Sequence, residues 1–163
     1  MVNKTWIIDF CKEVLRRKLK INYRVTSGVG TIDEEKLGWL KKSGCTTISF
    51  GTESGSEKIL KIMQKGVTVE QGRKAILLTK KYIGTIELTC MFNYFGETKE
   101  TVRESVEFFK EMGIMPNIFF AIPFPGTALY TTAIENGKIK DEEEYLMNLD
   151  KLSILHLPLN LTD

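Results

Sequence analysis

Apolar positions recur along the chain with two periods, and the two alternate. Trp6, Ile7, Phe10, Cys11, Val14, Leu15 and Leu19 fall at helical spacing, and the basic cluster "KEVLRRKLK" (12–20) is then the solvated face of an amphipathic helix. Four strand-like runs follow: "INYRVTSGV" (21–29), "CTTISFGTE" (45–53), "TIELTCMFNYF" (85–95) and "NIFFAIPF" (117–124). The last three follow Lys-rich turns with Gly, "KKSG" (41–44), "KKYIG" (80–84) and "KEMG" (110–113). Cations in a last turn with Gly just beyond mark helix ends. Helix starts are marked by Asp33 before two Glu, by Thr68 with Gln71 at capping-box spacing, and by Thr98. The order predicted is helix, strand, helix, strand, helix, strand, helix, strand, then a mixed tail.

Such alternation with short loops predicts an α/β fold of parallel strands joined by right-handed crossovers. An open doubly wound sheet and a barrel both fit, and the strand faces decide between them. Ile48 and Phe50 share one face, while Thr47, Ser49, Gly51 and Glu53 share the other. In the next strand Ile86, Leu88, Cys90 and Phe92 oppose Glu87, Thr89, Met91 and Asn93. A strand covered by helices on both sides would be apolar throughout. One oily and one polar face fits a wide, partly solvated lumen, hence a partial barrel with its site at the carboxyl-terminal rim. Glu53, Asn93 and "PFPGT" (123–127) all fall at such ends. "SGVGTID" (27–33) lacks the third Gly of a dinucleotide fingerprint.

Composition narrows the picture only slightly. The 163 residues, 42% hydrophobic and 27% charged, suit one soluble domain, and a net charge of +2 does not point to nucleic acid. No run of 18 apolar residues exists, so no membrane partner is expected. Cys11, Cys45 and Cys90 are too far apart for a metal motif and odd in number, which reads as free, buried thiols in a cytoplasmic protein. His156, in an apolar stretch, reads as a packed residue, and the "NLT" sequon (160–162) is discounted.

Three stretches carry a resemblance: "GCTTISFGTESGSEKILKIMQKGVTVEQ" (44–71), "CMFNYFGETKETVRESVEFFKEMG" (90–113) and "FFAIPFPGTALY" (119–130). In order and spacing they resemble the radical S-adenosylmethionine (SAM) superfamily, most closely its cobalamin-binding branch, over approximately residues 5–135. The resemblance implies about four β/α units, family strands three to six, of a (β/α)6 barrel. Residues 1–135 would form this partial barrel and 136–163 a C-terminal tail with a helix. It further implies SAM as cofactor, a [4Fe-4S] cluster in the parent protein only, and leaves cobalamin open there. The Cys-x3-Cys-x2-Cys loop that holds the cluster is absent from this chain, which is then expected to be inactive alone.

Residue by residue, the family's pattern implies that Glu53 meets the ribose hydroxyls and that Lys65, twelve positions on, pairs with the methionyl carboxylate. Thr89 takes a second ribose-contact position, Met91 packs on adenine, and Ala121 leaves room for the ring. Asn93 and Phe95 depart from the Gly and Pro of the family's Gly-x-Pro-Gly-Glu-Thr, which bears on the adenine contact. The residues alone leave plainer readings open. Glu53 can cap the following helix or pair with Lys58, Lys65 can be a last-turn cation, and Glu97 can favour a helix dipole. A cluster-less SAM- or adenosyl-binding module and a non-catalytic scaffold are the alternatives to a portion of a radical enzyme. Four strands with two open edges also carry the expectation of a homodimer of the isolated chain.

Overall fold

The computed structural model describes residues 3–154 and 159–162, so His156 lies outside the described residues. In chain order the elements are α1 (Lys4–Arg16), β1 (Tyr23–Ser27), α2 (Glu34–Lys42), β2 (Cys45–Glu53), α3 (Glu57–Ile62), α4 (Val69–Lys80), β3 (Thr85–Phe92), α5 (Lys99–Met112), β4 (Asn117–Phe120), α6 (Ala128–Glu135) and α7 (Glu142–Ile154). The helix starts follow the cap chemistry read from the sequence. Asp33 accepts from the Lys36 amide at 2.9 Å, and Thr68 with Gln71 closes a capping box, as Thr98 does with Thr101. Where one helix was expected between the second and third strands there are two. Gln64 (φ 53°) and Gly66 (φ 65°) take left-handed backbone conformations that end α3 before α4 is capped.

The four strands pair in the order β1-β2-β3-β4, every neighbour parallel. Ile48 lies beside Val25 and Ile86, and Phe50 beside Leu88, so their side chains form one continuous apolar row. Ile48, Phe50 and Leu88 are fully buried, and Val25 and Ile86 partly so, in one core with Leu37, Leu40, Ala75, Ile76, Phe108, Phe109 and Met112 from the helices. The opposite face carries Thr47, Ser49, Gly51, Glu53, Glu87, Thr89 and Met91, all only partly buried. On it Arg24 of β1 reaches across β2 to Glu87 of β3 at 3.2 Å. Helices α1, α2, α4 and α5 on one side, a largely polar inner face on the other and sequential parallel strands make this a segment of a (β/α) barrel.

The outer edges of the sheet stay open among the described residues. Beside β1 a groove of about 630 Å³ is lined by Trp6, Phe10, Tyr23, Val25 and Ile32. The apolar stripe of α1 is therefore only half used: Cys11 and Val14 are buried, while Trp6 stacks on Phe10 at 5.8 Å and remains 60% exposed. A second apolar cluster sits beyond β4, where Ala121, Tyr130, Ala133, Ile139, Tyr145 and Leu161 are buried together. The acidic start of α7 is solvated as expected, but Tyr145 turns inward and donates to the Pro123 carbonyl at 2.8 Å.

Candidate functional site

Glu53 closes β2 in a left-handed conformation, φ 61°, which is costly for a residue with a Cβ. The β2–β3 register breaks between Phe50 and Glu53, so that Glu53 pairs with Cys90. Such a bulge re-aims a side chain. The loop that follows is clamped from behind by α5: Ser105 Oγ lies 3.0 Å from Ser54 Oγ and accepts from the Gly55 amide at 3.0 Å. Gly55 lies so close to α5 that an added Cβ would stand 2.6 Å from Phe108 Cβ. Neither Ser105 nor this close approach has a local sequence signal, because the partners are 50 residues apart.

Lys65 stands beyond the end of α3, where its amide donates to the Leu60 carbonyl at 3.1 Å. Its Nζ reaches Glu53 Oε1 at 2.9 Å, and Thr89 Oγ1 donates to Glu53 Oε2 at 3.3 Å. The structure thus brings Glu53, Lys65 and Thr89 together at the carboxyl-terminal rim of β2 and β3. Glu53 neither caps α3 nor pairs with Lys58, and Lys65 is not in the last turn of a helix. With side-chain exposures of 16% for Glu53 and 36% for Lys65, the pair is wet and contributes about 0–1 kcal/mol to stability. Each carboxylate oxygen has further acceptor capacity.

Met91, Asn93 and Ala121 form a second group. Asn93, φ 64°, donates its backbone N–H to Glu97 Oε2 at 2.7 Å. Its side chain donates to the carbonyls of Leu159 at 2.7 Å and Ala121 at 3.4 Å, and accepts from the Leu161 amide at 3.1 Å. Met91 and Leu159 pack against the cluster that holds Ala121 and Leu161. Glu97 therefore ties down the turn after β3 rather than merely facing the α5 dipole. Burial pushes its carboxyl above the ordinary range, opposed by the Asn93 hydrogen bond. The neighbouring Cys90 thiol is pushed up to about 12 by burial first, then by the charges of Glu97 and Glu53.

Cys11, Cys45 and Cys90 are all buried in the helix-side core, and no grouping of three or more His, Cys, Asp or Glu that would hold a metal exists among the described residues. These thiols do not fit an iron–sulfur cluster. A cleft of about 730 Å³ lies elsewhere, lined by Glu57, Lys58, Lys61, Gln64, Thr68 and Gln71 around α3 and α4.

A family model described as the radical SAM superfamily matches residues 5–109. The chain belongs to this superfamily. Over 137 residues it is 32% identical to an uncharacterized methyltransferase of Pyrococcus horikoshii, covering 83% of this chain and 30% of that protein. Over 147 residues it is 27% identical to the anaerobic magnesium-protoporphyrin IX monomethyl ester cyclase of Rubrivivax gelatinosus, covering 88% of this chain and 26% of that protein. The radical SAM relatives are enzymes, and this chain spans only about a quarter to a third of their length. Among solved structures, the radical SAM methyltransferase TsrM of Kitasatospora setae, with cobalamin and a [4Fe-4S] cluster bound, superposes with a TM-score of 0.69 at 22% identity, over 79% of this chain and 27% of that one. That likeness shows the radical SAM barrel fold.

Proposed function

We propose that this chain is the SAM-contacting portion of a radical SAM enzyme and that its inner-face rim holds the cofactor's ribose and methionyl ends. The observation that carries the proposal is the convergence of Lys65 and Thr89 on the two oxygens of Glu53. A carboxylate held at a wet rim by one cation and one hydroxyl is preorganised to accept from two adjacent ribose hydroxyls. Lys65, already within 2.9 Å of that carboxylate, exchanges part of its attraction for the ligand's own carboxylate. Met91 and Ala121 lie on the same side of the sheet for the adenine, and Asn93 shapes the turn between them. When bound beside a reducing cluster, SAM supplies the carbon radical of the family's chemistry. The residues here bind and orient it, and the cluster ligands belong to another segment of the parent. No residue of this chain is assigned to cobalamin. Among the described residues no helix is long and apolar enough to cross a membrane, and the cytoplasm is part of the same proposal.

Calorimetric titration of the full chain with SAM tests this reading. Saturable binding is expected, and Lys65→Ala is expected to weaken it about tenfold, the scale of one hydrogen bond to a charged group. Absence of saturable binding at millimolar SAM would leave a scaffold without a ligand. Equal affinity of Lys65→Ala and the parent would remove Lys65 from the site.

A further inference from the structure

We propose that the C-terminal segment 159–162 is a displaceable cover over the adenine end of the site, and that the Asn93 side chain is its latch. The proposal rests on the nucleoside reading above and adds to it a competitor built into the chain.

The latch is a complete one. A side-chain amide offers donors at one end and an acceptor at the other. Asn93 spends the donor end on the carbonyls of Leu159 and Ala121 and the acceptor end on the Leu161 amide. It does so from a backbone at φ 64°, which Asn tolerates better than other residues with a side chain. Gly would satisfy the turn equally but would leave the segment unheld. The partners lie 66 and 68 residues away, so this contact is a tertiary choice and not local turn chemistry.

What the latch holds down is the surface an adenine needs. Ala121 is 2% exposed and Leu161 1% exposed, and both belong to one apolar cluster with Met91 and Leu159 packed against it. Ala121 shares that cluster with Tyr130, Ala133, Ile139 and Tyr145 as well, so no ring-sized face of it is free, and of these neighbours Leu159 and Leu161 are the ones the latch holds. The ribose end differs, because Glu53, Thr89 and Lys65 remain partly solvated. A nucleoside entering at the open end meets Leu159 and Leu161 at the closed one and must move them to seat its base. Ligand and cover then compete for one surface, and each weakens the other by the same factor. The cost of opening lowers the apparent affinity by the fraction of chains that are open.

The test compares the full chain with Asn93→Gly, which keeps the positive φ and deletes only the latch, and with Leu161→Ala, which keeps the latch and thins the cover. Two readouts are taken: amide hydrogen exchange at Leu161 and calorimetric affinity for SAM. In Asn93→Gly the Leu161 amide is expected to exchange faster and SAM to bind about tenfold tighter, the scale of the two hydrogen bonds to the segment among the three that are lost. Leu161→Ala is expected to bind tighter as well. In the parent, saturating SAM is expected to speed exchange at Leu161. Unchanged protection of Leu161 in Asn93→Gly would overturn the latch. Equal or weaker SAM binding by Asn93→Gly with Leu161 released, or SAM slowing exchange at Leu161, would make the segment a wall of the site and overturn the cover. Binding of SAM by none of the three chains would overturn the nucleoside reading itself and the cover with it.

Discussion

Glu53→Gly is expected to yield a chain as stable as the parent that no longer holds SAM measurably. Glu53 sits at φ 61°, where a side chain costs about 1–2 kcal/mol that Gly does not incur. Against that gain, Gly adds about 0.5–1 kcal/mol of unfolded-chain entropy. Loss of the ion pair to Lys65, itself 36% exposed, adds about 0–1 kcal/mol. The terms nearly cancel, and denaturant unfolding should place the variant within about 1 kcal/mol of the parent. Binding is another matter, because a carboxylate accepting from two ribose hydroxyls contributes about 1.5–3 kcal/mol per hydrogen bond. Affinity for SAM should fall by about a hundredfold or more. A strained residue whose removal leaves the fold intact and abolishes binding is one retained for function. A loss of several kcal/mol in stability would instead make Glu53 a structural element, and unchanged affinity would take it out of the site.

Gly55→Ala should produce the largest loss of stability. An added Cβ would meet Phe108 Cβ at 2.6 Å, Ser105 Cα at 2.8 Å and the Glu104 carbonyl oxygen at 3.0 Å. Two of these are backbone atoms of α5, which a side-chain rotation cannot move aside. Overpacking of this kind costs about 1–3 kcal/mol, and here it also strains the two hydrogen bonds that Ser105 makes to the loop. A cost near 3 kcal/mol corresponds to a fall in Tm of about 6–12 °C for a chain of this size. Because Gly55 lies two residues after Glu53, SAM binding should weaken along with stability. Gly38→Ala is the matched control: nothing stands within 4 Å of its added Cβ on a helix, and it should stabilise by about 0.5–1 kcal/mol. A Gly55→Ala chain that melts with the parent would show that α5 does not clamp the loop.

Local chemistry was legible in the residues themselves. The bounds of β2 follow from "CTTISFGTE", its two faces from simple alternation, and the caps at Asp33, Thr68 and Thr98 from single side chains that find their partners three residues on. The fold class followed from those elements, since short loops between alternating helices and strands admit few topologies. What was not legible depends on distant partners. The bulge before Glu53 is set by pairing with β3, and the clamp on Gly55 comes from α5. The break between α3 and α4 had its signals in Gly66 and in the capping box of Thr68 with Gln71, while the left-handed turn at Gln64 has none of its own. Asn93 was marked by its departure from a family Gly. Its φ of 64° shows that the turn survives the change, while its hold on Leu159 and Leu161 needed the fold. The aromatic pair Trp6 and Phe10 reads as core at helical spacing, yet lies open beside the free edge of β1.

Whether the rim of β2 and β3 holds the cofactor is read most directly by amide chemical-shift mapping of the isotope-labelled full chain during a SAM titration. The largest changes are expected on Gly51, Glu53, Lys65 and Thr89, at the rim where β2 and β3 end, and on Asn93 and Leu161 where the cover is released. Changes confined to Lys58, Lys61, Thr68 and Gln71, around the cleft beside α3 and α4, would contradict that placement.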